Sequence, residues 1–321
     1  MPSIPPATMQ ALQLSAYHGQ AADLQLMTLP VPQPGPGEVL IRIAATPINP
    51  SDLMFLRGEY GIQKPLPIVP GIEGSGVVVA AGRGLLSQRL LGQRVACVAP
   101  AAGDGTWAEY MLAPATHCFP LAKNLSLAVG ATLIVNPITA WALLDRARRH
   151  RHRAIIQTAA ASQVGRMVVR LGRRFKLPTI NVVRRAEQVE MLRLLGAEYV
   201  LNSSLPTFDA DLRRAAAQLG ATLAFDAVAG PMTGQLLSAM PPGSQVLIYG
   251  GLSGAACTIP ADRVLFERKS VAGFWLNDWI RRRGPIEMVR LSAQIQRLVR
   301  SDLAATIQAR VPLSAAAQGL A

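Results

Sequence analysis

The sequence predicts an α/β fold in which a β-rich region precedes a doubly wound parallel sheet. Two observations carry this prediction. Residues 10–120 are rich in glycine, proline and short β-branched runs that are separated by turn signals. From Ala128 onward, helical stretches alternate with short apolar runs, which is the pattern of parallel strands joined by helical crossovers.

The individual elements follow from local patterns. The first region contains the strand candidates EVLIRIAAT, GSGVVVAAG and QRVACVAP. The second contains AIIQTA, PTINVV, YVLN, LAFDAVA and QVLIYGG. A helix from Pro231 to Met240 is expected to stop at the following Pro-Pro-Gly, and the later segment GPIEMVRLSAQIQRLVRSDL has the apolar spacing of an amphipathic helix that packs on a domain.

Size and composition favour a two-domain enzyme of the cytoplasm. The chain has 321 residues, of which half are hydrophobic and 16% are charged, so disorder is excluded. No apolar run reaches about 18 residues, and the N-terminus lacks the pattern of a signal peptide, so no membrane association is expected. The cysteines Cys97, Cys118 and Cys257 are odd in number and widely separated, which argues against a disulfide framework.

The net charge of +13 comes mainly from arginine, since only four of the 32 basic residues are lysines. The densest runs are residues 146–153 and 281–283. A solvated surface is the favoured interpretation, because charge runs usually mark exposed faces. An acidic carrier or substrate is the second interpretation, and a nucleic acid is the third.

Residues 153–185 predict the coenzyme. They read as an apolar strand, a small-residue turn, a helix and a second strand that ends in two arginines. In a dinucleotide-binding unit the turn approaches the pyrophosphate, and the tip of the second strand touches the adenosine ribose. A carboxylate there holds the 2'-hydroxyl of NAD, whereas the guanidinium groups of Arg184 and Arg185 suit a 2'-phosphate, so we expect NADPH. The glycine fingerprint is reduced to Ala159, Ser162 and Gly165, and on its own it would also fit an ordinary crossover unit.

Taken in order, several segments resemble the zinc-independent medium-chain dehydrogenase/reductases, and among them the NADPH-dependent 2-enoyl thioester reductases more than the quinone reductases. The segments are INPSDLMFLRGEYG, VNPITAW, QTAAASQVGR, TINVVRR, LGAEYVLNS, LIYGGLSG and AGFWLNDW. The resemblance implies a GroES-like, partly open β-barrel domain formed by residues 1–122 and 276–321. It also implies a Rossmann domain at residues 123–275 with a doubly wound parallel sheet, and a homodimer built through Rossmann-domain edges.

The resemblance also predicts that no metal is bound. Zinc-dependent relatives carry a cysteine where this chain has Asn49 and a histidine where it has Ile72, and their four-cysteine lobe has no counterpart here. Tetrahedral zinc needs thiolate, imidazole or carboxylate ligands, which these positions do not supply.

By resemblance, Tyr60 is the catalytic residue. A phenol with its ordinary pKa of about 10 stays protonated near neutral pH and can donate a proton. The implied reaction is hydride transfer from the nicotinamide to the β-carbon of a trans-2-enoyl thioester. Asn49 and Trp275 are expected to line the substrate pocket, whereas Asp52 is expected to order its loop through backbone hydrogen bonds.

The remaining implied site residues bind the coenzyme. Asn136 is expected at the nicotinamide ribose. The turn before the helix, the tip of the second strand and two later segments supply the rest: Ala161, Ser162, Gln163 and Val164; Arg184 and Arg185; Tyr249, Gly250, Gly251 and Leu252; Phe274, Trp275, Leu276 and Asn277.

Three functions stay open at this point. The first is reduction of an enoyl thioester, as a small molecule or bound to an acyl carrier, which fits fatty acid metabolism. The second is quinone or alkenal reduction on the same fold, with less dependence on Tyr60. The third is a non-catalytic relative that binds RNA or an acidic partner through residues 146–153.

Overall fold

The computed structural model describes residues 4–316, and the chain divides into two compact units. The first unit comprises Met1–Val135 and Ala305–Ala321, and the second comprises Asn136–Ala304. This division differs from the predicted boundaries at 122/123 and 275/276. Residues 276–304 lie with the second unit, where Arg174 pairs with Asp302 at 3.1 Å and Arg170 donates to the Ala304 carbonyl at 3.1 Å.

The first unit is mainly antiparallel β-structure. Its strands and helices are β1 (Thr8–Leu14), β2 (Leu24–Pro30), β3 (Glu38–Ala45), α1 (Pro50–Leu56), β4 (Glu73–Ala81), α2 (Leu85–Leu90), β5 (Arg94–Val98), β6 (Tyr110–Pro114), β7 (Cys118–Pro120) and α3 (Leu127–Gly130). Short 3₁₀ helices lie at Ala21–Asp23, Ala115–His117 and Leu313–Ala315. β1 and β2 form a hairpin, and the other strands form one sheet in the order β6-β3-β4-β5-β7.

The second unit alternates strands with helices, as the sequence predicts. Its elements are α4 (Val135–Arg149), β8 (Ala154–Gln157), α5 (Gln163–Arg174), β9 (Thr179–Val183), α6 (Ala186–Leu194), β10 (Tyr199–Asn202), α7 (Phe208–Leu219), β11 (Ala221–Asp226), α8 (Pro231–Ala239), β12 (Gln245–Ile248), α9 (Ala261–Leu265), β13 (Ser270–Gly273), α10 (Leu276–Arg281) and α11 (Pro285–Leu298). All strand pairs in this sheet are parallel.

The parallel sheet has the order β10-β9-β8-β11-β12-β13. Chain order reverses between β8 and β11, so this junction is the switch point of a doubly wound sheet. Helices cover both faces: Leu212 of α7 and Leu236 of α8 pack on one, and Val169 of α5 and Leu192 of α6 pack together on the other. Every residue of β8 and β9 is buried, as expected for strands that helices cover on both faces.

Local sequence signals determine where α5 begins and where α7 ends. Ser162 caps α5 by accepting a hydrogen bond from the Gly165 backbone, and α7 ends at Gly220, which has a φ of 65° that favours glycine. Within residues 4–316, no helix has the length and apolar character needed to cross a membrane.

Candidate functional site

The predicted coenzyme segments of the second unit lie at one edge of its sheet. They follow β8, β9, β12 and β13, respectively, at residues 161–164, 184–185, 249–252 and 274–277. The carboxyl ends of parallel strands share an edge, and ligands of doubly wound sheets bind there beside the switch point. The topology therefore brings these four segments to the edge where a dinucleotide is expected.

The turn between β8 and α5 is tightly built. Ala159 adopts a left-handed φ of 48°, which is uncommon for any residue with a Cβ atom. A Cβ atom on Gly165 would lie 2.4 Å from the Ala160 carbonyl oxygen, so only glycine allows the helix to approach the turn this closely. The first N–H groups of a helix lack intrahelical acceptors, and the start of α5 can therefore hold an anion.

A buried carboxylate joins the two turns that flank the switch point. Asp226, at the end of β11, is fully buried and accepts hydrogen bonds from the hydroxyls of Thr158 and Thr233, each at 2.8 Å. It also accepts from the Val228 and Ala229 N–H groups at 3.0 and 3.1 Å. Sequence reasoning missed this cluster, although the acid that ends the apolar run LAFD was an available signal.

The tip of β9 presents its two arginines to solvent. Val183 is buried, whereas Arg184 and Arg185 are exposed. The Gln188 side chain accepts from both of their backbone N–H groups at 3.2 Å and fixes the turn. Arg185 pairs with Glu187 at 2.9 Å, but within residues 4–316 the guanidinium of Arg184 has neither a hydrogen-bond nor an ion-pair partner.

These features fit NADPH. A helix start suited to a pyrophosphate follows β8, and an unpaired guanidinium suited to a 2'-phosphate follows β9. Gln163, the first residue of α5, is half-buried and bulkier than the small residue that lets a phosphate come closest.

The later segments form further parts of this edge. Gly250 must be glycine because an added Cβ would lie 2.9 Å from the Ala227 carbonyl oxygen. The Tyr249 hydroxyl is buried and finds no hydrogen-bond partner among residues 4–316. Burial raises the pKa of this hydroxyl well above its ordinary value, and the nearby charge of Asp226 raises it further. Trp275 directly precedes α10, and the Arg281 guanidinium lies 5.7 Å from its ring.

The predicted residues of the first unit lie in and after α1. Tyr60 is half-buried in the following loop, against the apolar cluster that contains Phe55 and Leu56. Asn49 caps α1 and is only 4% exposed, and its amide donates to Glu73 Oε1 at 3.0 Å. The role of Asn49 in substrate binding stays a prediction. Asn136, expected at the nicotinamide ribose, lies in the first turn of α4.

Two buried carboxylates surround Asn49. Asp52 accepts from the backbone N–H groups of Asn49 at 2.7 Å and Ile72 at 3.0 Å, which confirms that it orders the loop. Glu73 Oε2 accepts from the Ile134 and Val135 N–H groups at 3.0 and 2.9 Å.

Burial raises the pKa of each carboxyl to about 7, although the hydrogen bonds to both groups act in the opposite direction. Sequence reasoning did not foresee the role of Glu73. Within residues 4–316, no three His, Cys, Asp or Glu side chains are grouped so as to hold a metal ion.

Comparisons with known proteins agree with this architecture. Residues 35–123 match the family model of the alcohol dehydrogenase GroES-like domain, and residues 164–294 match that of the zinc-binding dehydrogenases. The mitochondrial enoyl-[acyl-carrier-protein] reductase of Mus musculus is 32% identical over 98% of this chain and 85% of its own length.

Solved structures extend the agreement to three dimensions. A Mesorhizobium loti protein provisionally named as an NADPH:quinone reductase is 34% identical, with a TM-score of 0.91 over 98% of this chain and 94% of its own. The Thermus thermophilus quinone oxidoreductase, also solved with NADPH, is 25% identical, with a TM-score of 0.77 over 97% and 95% of the two chains. The predicted GroES-like and Rossmann fold class is confirmed, and the chain belongs to the medium-chain dehydrogenase/reductase family of nicotinamide-dependent oxidoreductases.

Proposed function

We propose that this protein uses NADPH to reduce the carbon–carbon double bond of a 2-enoyl thioester. The observation that carries the choice of coenzyme is the unpaired guanidinium of Arg184 at the tip of β9. The choice of substrate is supported by relatives such as the mouse protein, which is named as an enoyl-[acyl-carrier-protein] reductase. The thioester is either a free small molecule or bound to an acyl carrier.

The second unit holds the coenzyme in this proposal. The start of α5, with residues 161–164, binds the pyrophosphate, and Arg184 binds the 2'-phosphate with Arg185 once Arg185 leaves Glu187. Asn136 and the segments 249–252 and 274–277 bind the nicotinamide end. Bound NADPH supplies the hydride that the reduction needs.

The first unit supplies the proton. Tyr60 donates a hydrogen bond to the thioester carbonyl and favours protonation of the α-carbon, because a phenol is a donor that stays protonated near neutral pH. Asn49 and Trp275 are proposed to shape the substrate pocket. A positioned proton donor contributes roughly 10²- to 10⁴-fold to the rate, and this is the loss expected when the Tyr60 hydroxyl is removed.

The test compares two tyrosine variants. Loss of NADPH absorbance is followed with trans-2-enoyl-CoA substrates of several chain lengths, for the wild type, Tyr60→Phe and Tyr110→Phe. Tyr110 is another half-buried tyrosine of the first unit and serves as the matched control. We expect turnover that falls at least about 100-fold in Tyr60→Phe and less than about threefold in the control. The absence of turnover with every enoyl thioester would refute the proposal.

A quinone reductase is the second candidate, and the observation that favours it is the similarity to the Mesorhizobium loti protein. The same assay with quinones separates the two functions. A quinone reductase would turn over quinones faster than enoyl thioesters, and it would retain most of its activity in Tyr60→Phe.

A homodimer is part of the proposal. β13 is an edge strand of the parallel sheet, and the preceding residues Val264, Leu265 and Phe266 are 39%, 70% and 84% exposed. An unpaired strand edge beside exposed apolar side chains favours pairing with a second copy. Light scattering is expected to give the mass of a dimer for the wild type and the mass of a monomer for Phe266→Asp. Leu194→Asp is the control, at an 89% exposed residue of α6, and should remain a dimer.

A further inference from the structure

The basic residues of this chain are concentrated in one part of the second unit. Residues 146–153, 170–176 and 283–300 make up about a tenth of the chain, yet they hold 13 of its 32 Lys and Arg residues and one of its 19 Asp and Glu residues. We call these three segments the arginine surface. Nothing in the proposed reduction uses them.

Contacts between the three segments show that they form one surface. The Arg148 guanidinium lies 4.2 Å from the centre of the Phe175 ring, which joins the end of α4 to the end of α5. Arg174 pairs with Asp302 just beyond α11. Burial lowers the pKa of Arg283, the charges of Glu287 and Asp145 raise it, and the charge of Arg149 lowers it, so Arg283, two residues before α11, lies close to Asp145 and Arg149 of α4.

The arginine surface lies at the amino edge of the parallel sheet. α4 ends at Arg149 just before β8 begins, and α5 ends at Arg174 just before β9 begins. Arg146 donates to the side chain of Gln245, the first residue of β12, at 2.9 Å. Strands of four to six residues, about 13 to 20 Å long, separate this edge from the edge that carries the predicted coenzyme segments.

Much of the positive charge is unpaired. Arg151, Arg153, Lys176, Arg290 and Arg297 are exposed and have no side-chain hydrogen bond or ion pair among residues 4–316. The half-buried rings of Phe175 and Trp279 lie among the arginines, and the Arg283 guanidinium stacks on Trp279 at 3.2 Å.

A cavity lies beside the segment 170–176 of this surface. Its volume is about 350 Å³, and it is lined by Arg173, Lys176 and Tyr199 among others. This volume falls at the lower end of the range of about 300 to 1,000 Å³ for small-molecule sites. It suits one unstacked nucleotide whose phosphate contacts Lys176 or Arg173.

We propose that the arginine surface binds the phosphate backbone of single-stranded RNA. Unpaired cations on adjoining segments match a chain of phosphates, and the pairs of an aromatic ring and a guanidinium plane beside them match bases that are free to stack. An acidic acyl carrier fits less well, because it must deliver its acyl group to the coenzyme edge and this surface lies at the opposite edge of the same sheet. RNA bound here needs no access to the coenzyme.

The test measures the affinity of a fluorescently labelled oligouridine by anisotropy at several salt concentrations. The test variant combines R151Q, R153Q, R290Q and R297Q, none of which removes a side-chain hydrogen bond or an ion pair within the described residues. The control variant combines R42Q, R83Q, R89Q and R213Q, which remove the same charge from exposed arginines elsewhere. Circular dichroism and urea unfolding verify that both variants fold like the wild type.

We expect the test variant to weaken RNA binding by at least about 50-fold and to reduce the slope of log K against log salt by about 2 to 3, because each phosphate contact contributes about 0.7. The control variant should change the affinity by less than about threefold. Equal losses in the two variants would mean that only net charge matters and would overturn the proposal, as would the absence of binding near physiological salt.

Two competition measurements complete the test. Saturating NADPH is expected to leave the RNA affinity within about twofold, since the two edges of the sheet are separate. Displacement of RNA by NADPH would place the RNA in the coenzyme site and refute the proposal. Preferential binding of an acidic acyl carrier protein to the arginine surface, with release of RNA, would assign the surface to a protein partner instead.

Discussion

Replacing Glu73 with glutamine tests the buried polar cluster of the first unit. Glu73 is 1% exposed, and its carboxyl accepts from the backbone of Ile134 and Val135 and from the Asn49 amide. Glutamine keeps the size of the side chain but offers one acceptor oxygen and turns an NH₂ group toward a donor. We expect a destabilisation of about 1 to 3 kcal/mol from that mismatch, at any pH.

Ionisation of Glu73 makes the stability of the wild type depend on pH. Burial raises the pKa of Glu73 from 4.5 to about 7, and a pKa change of one corresponds to about 1.4 kcal/mol, so ionising Glu73 destabilises the folded state by about 3 kcal/mol. The folded state holds this proton more tightly than the unfolded state does. The stabilising contribution of this proton is therefore complete below about pH 4.5 and is lost as the pH rises to about 7.

Glu73→Gln has no group at position 73 that ionises, so it does not lose this stability as the pH rises. Glu73→Gln should be less stable than the wild type at about pH 5, and the difference should vanish or reverse by about pH 8. The assay is urea unfolding followed by the fluorescence of Trp107, the tryptophan of the first unit, in a background where Trp141, Trp275 and Trp279 are phenylalanine. Glu59→Gln, at an exposed site, is the control. The reasoning would be refuted if the free energies of unfolding of the wild type and of Glu73→Gln changed with pH in parallel.

Three further substitutions, one of them with a control substitution beside it, test the turns around the switch point. Gly165→Ala should lower the free energy of unfolding by about 1 to 3 kcal/mol and weaken NADPH binding, because the new Cβ meets the Ala160 carbonyl; unchanged stability in urea would contradict this. Ala159→Gly should raise the free energy of unfolding by up to about 1 kcal/mol, since glycine adopts a φ of 48° without strain, whereas Ala160→Gly should lower it. Asp226→Asn should lower the free energy of unfolding by about 2 to 4 kcal/mol, because the new NH₂ group faces the hydroxyl groups that donate to the carboxylate. An unchanged free energy of unfolding would contradict the assigned hydrogen bonds.

The placement of the coenzyme segments could be predicted from the sequence. The alternation of apolar runs and helical stretches determines a parallel sheet, and every segment that follows a strand then lies at the carboxyl edge. The prediction for Arg184 and Arg185 rests on a local signal, which is a strand, a turn and a residue type at a fixed spacing, and the prediction for residues 161–164 rests also on the family resemblance.

The contacts of buried polar residues could not be predicted in this way. Asp226 meets Thr158, and Glu73 meets Ile134, across 68 and 61 residues, and no local pattern encodes such pairs. The same limit applies to α11. Its apolar spacing predicts that it packs on a domain but does not say which one; contacts made far along the chain, such as the ion pair of Arg174 with Asp302, accompany the placement of residues 276–304 in the second unit.

The central claim is that Arg184 selects NADPH, and the most direct test is the pair of dissociation constants for NADPH and NADH in the wild type and in Arg184→Gln. A hydrogen-bonded charge pair contributes about 1.5 to 3 kcal/mol, so Arg184→Gln should bind NADPH about 10- to 100-fold more weakly and NADH unchanged. The wild type should prefer NADPH by at least about tenfold. Equal or tighter binding of NADH by the wild type would contradict the claim.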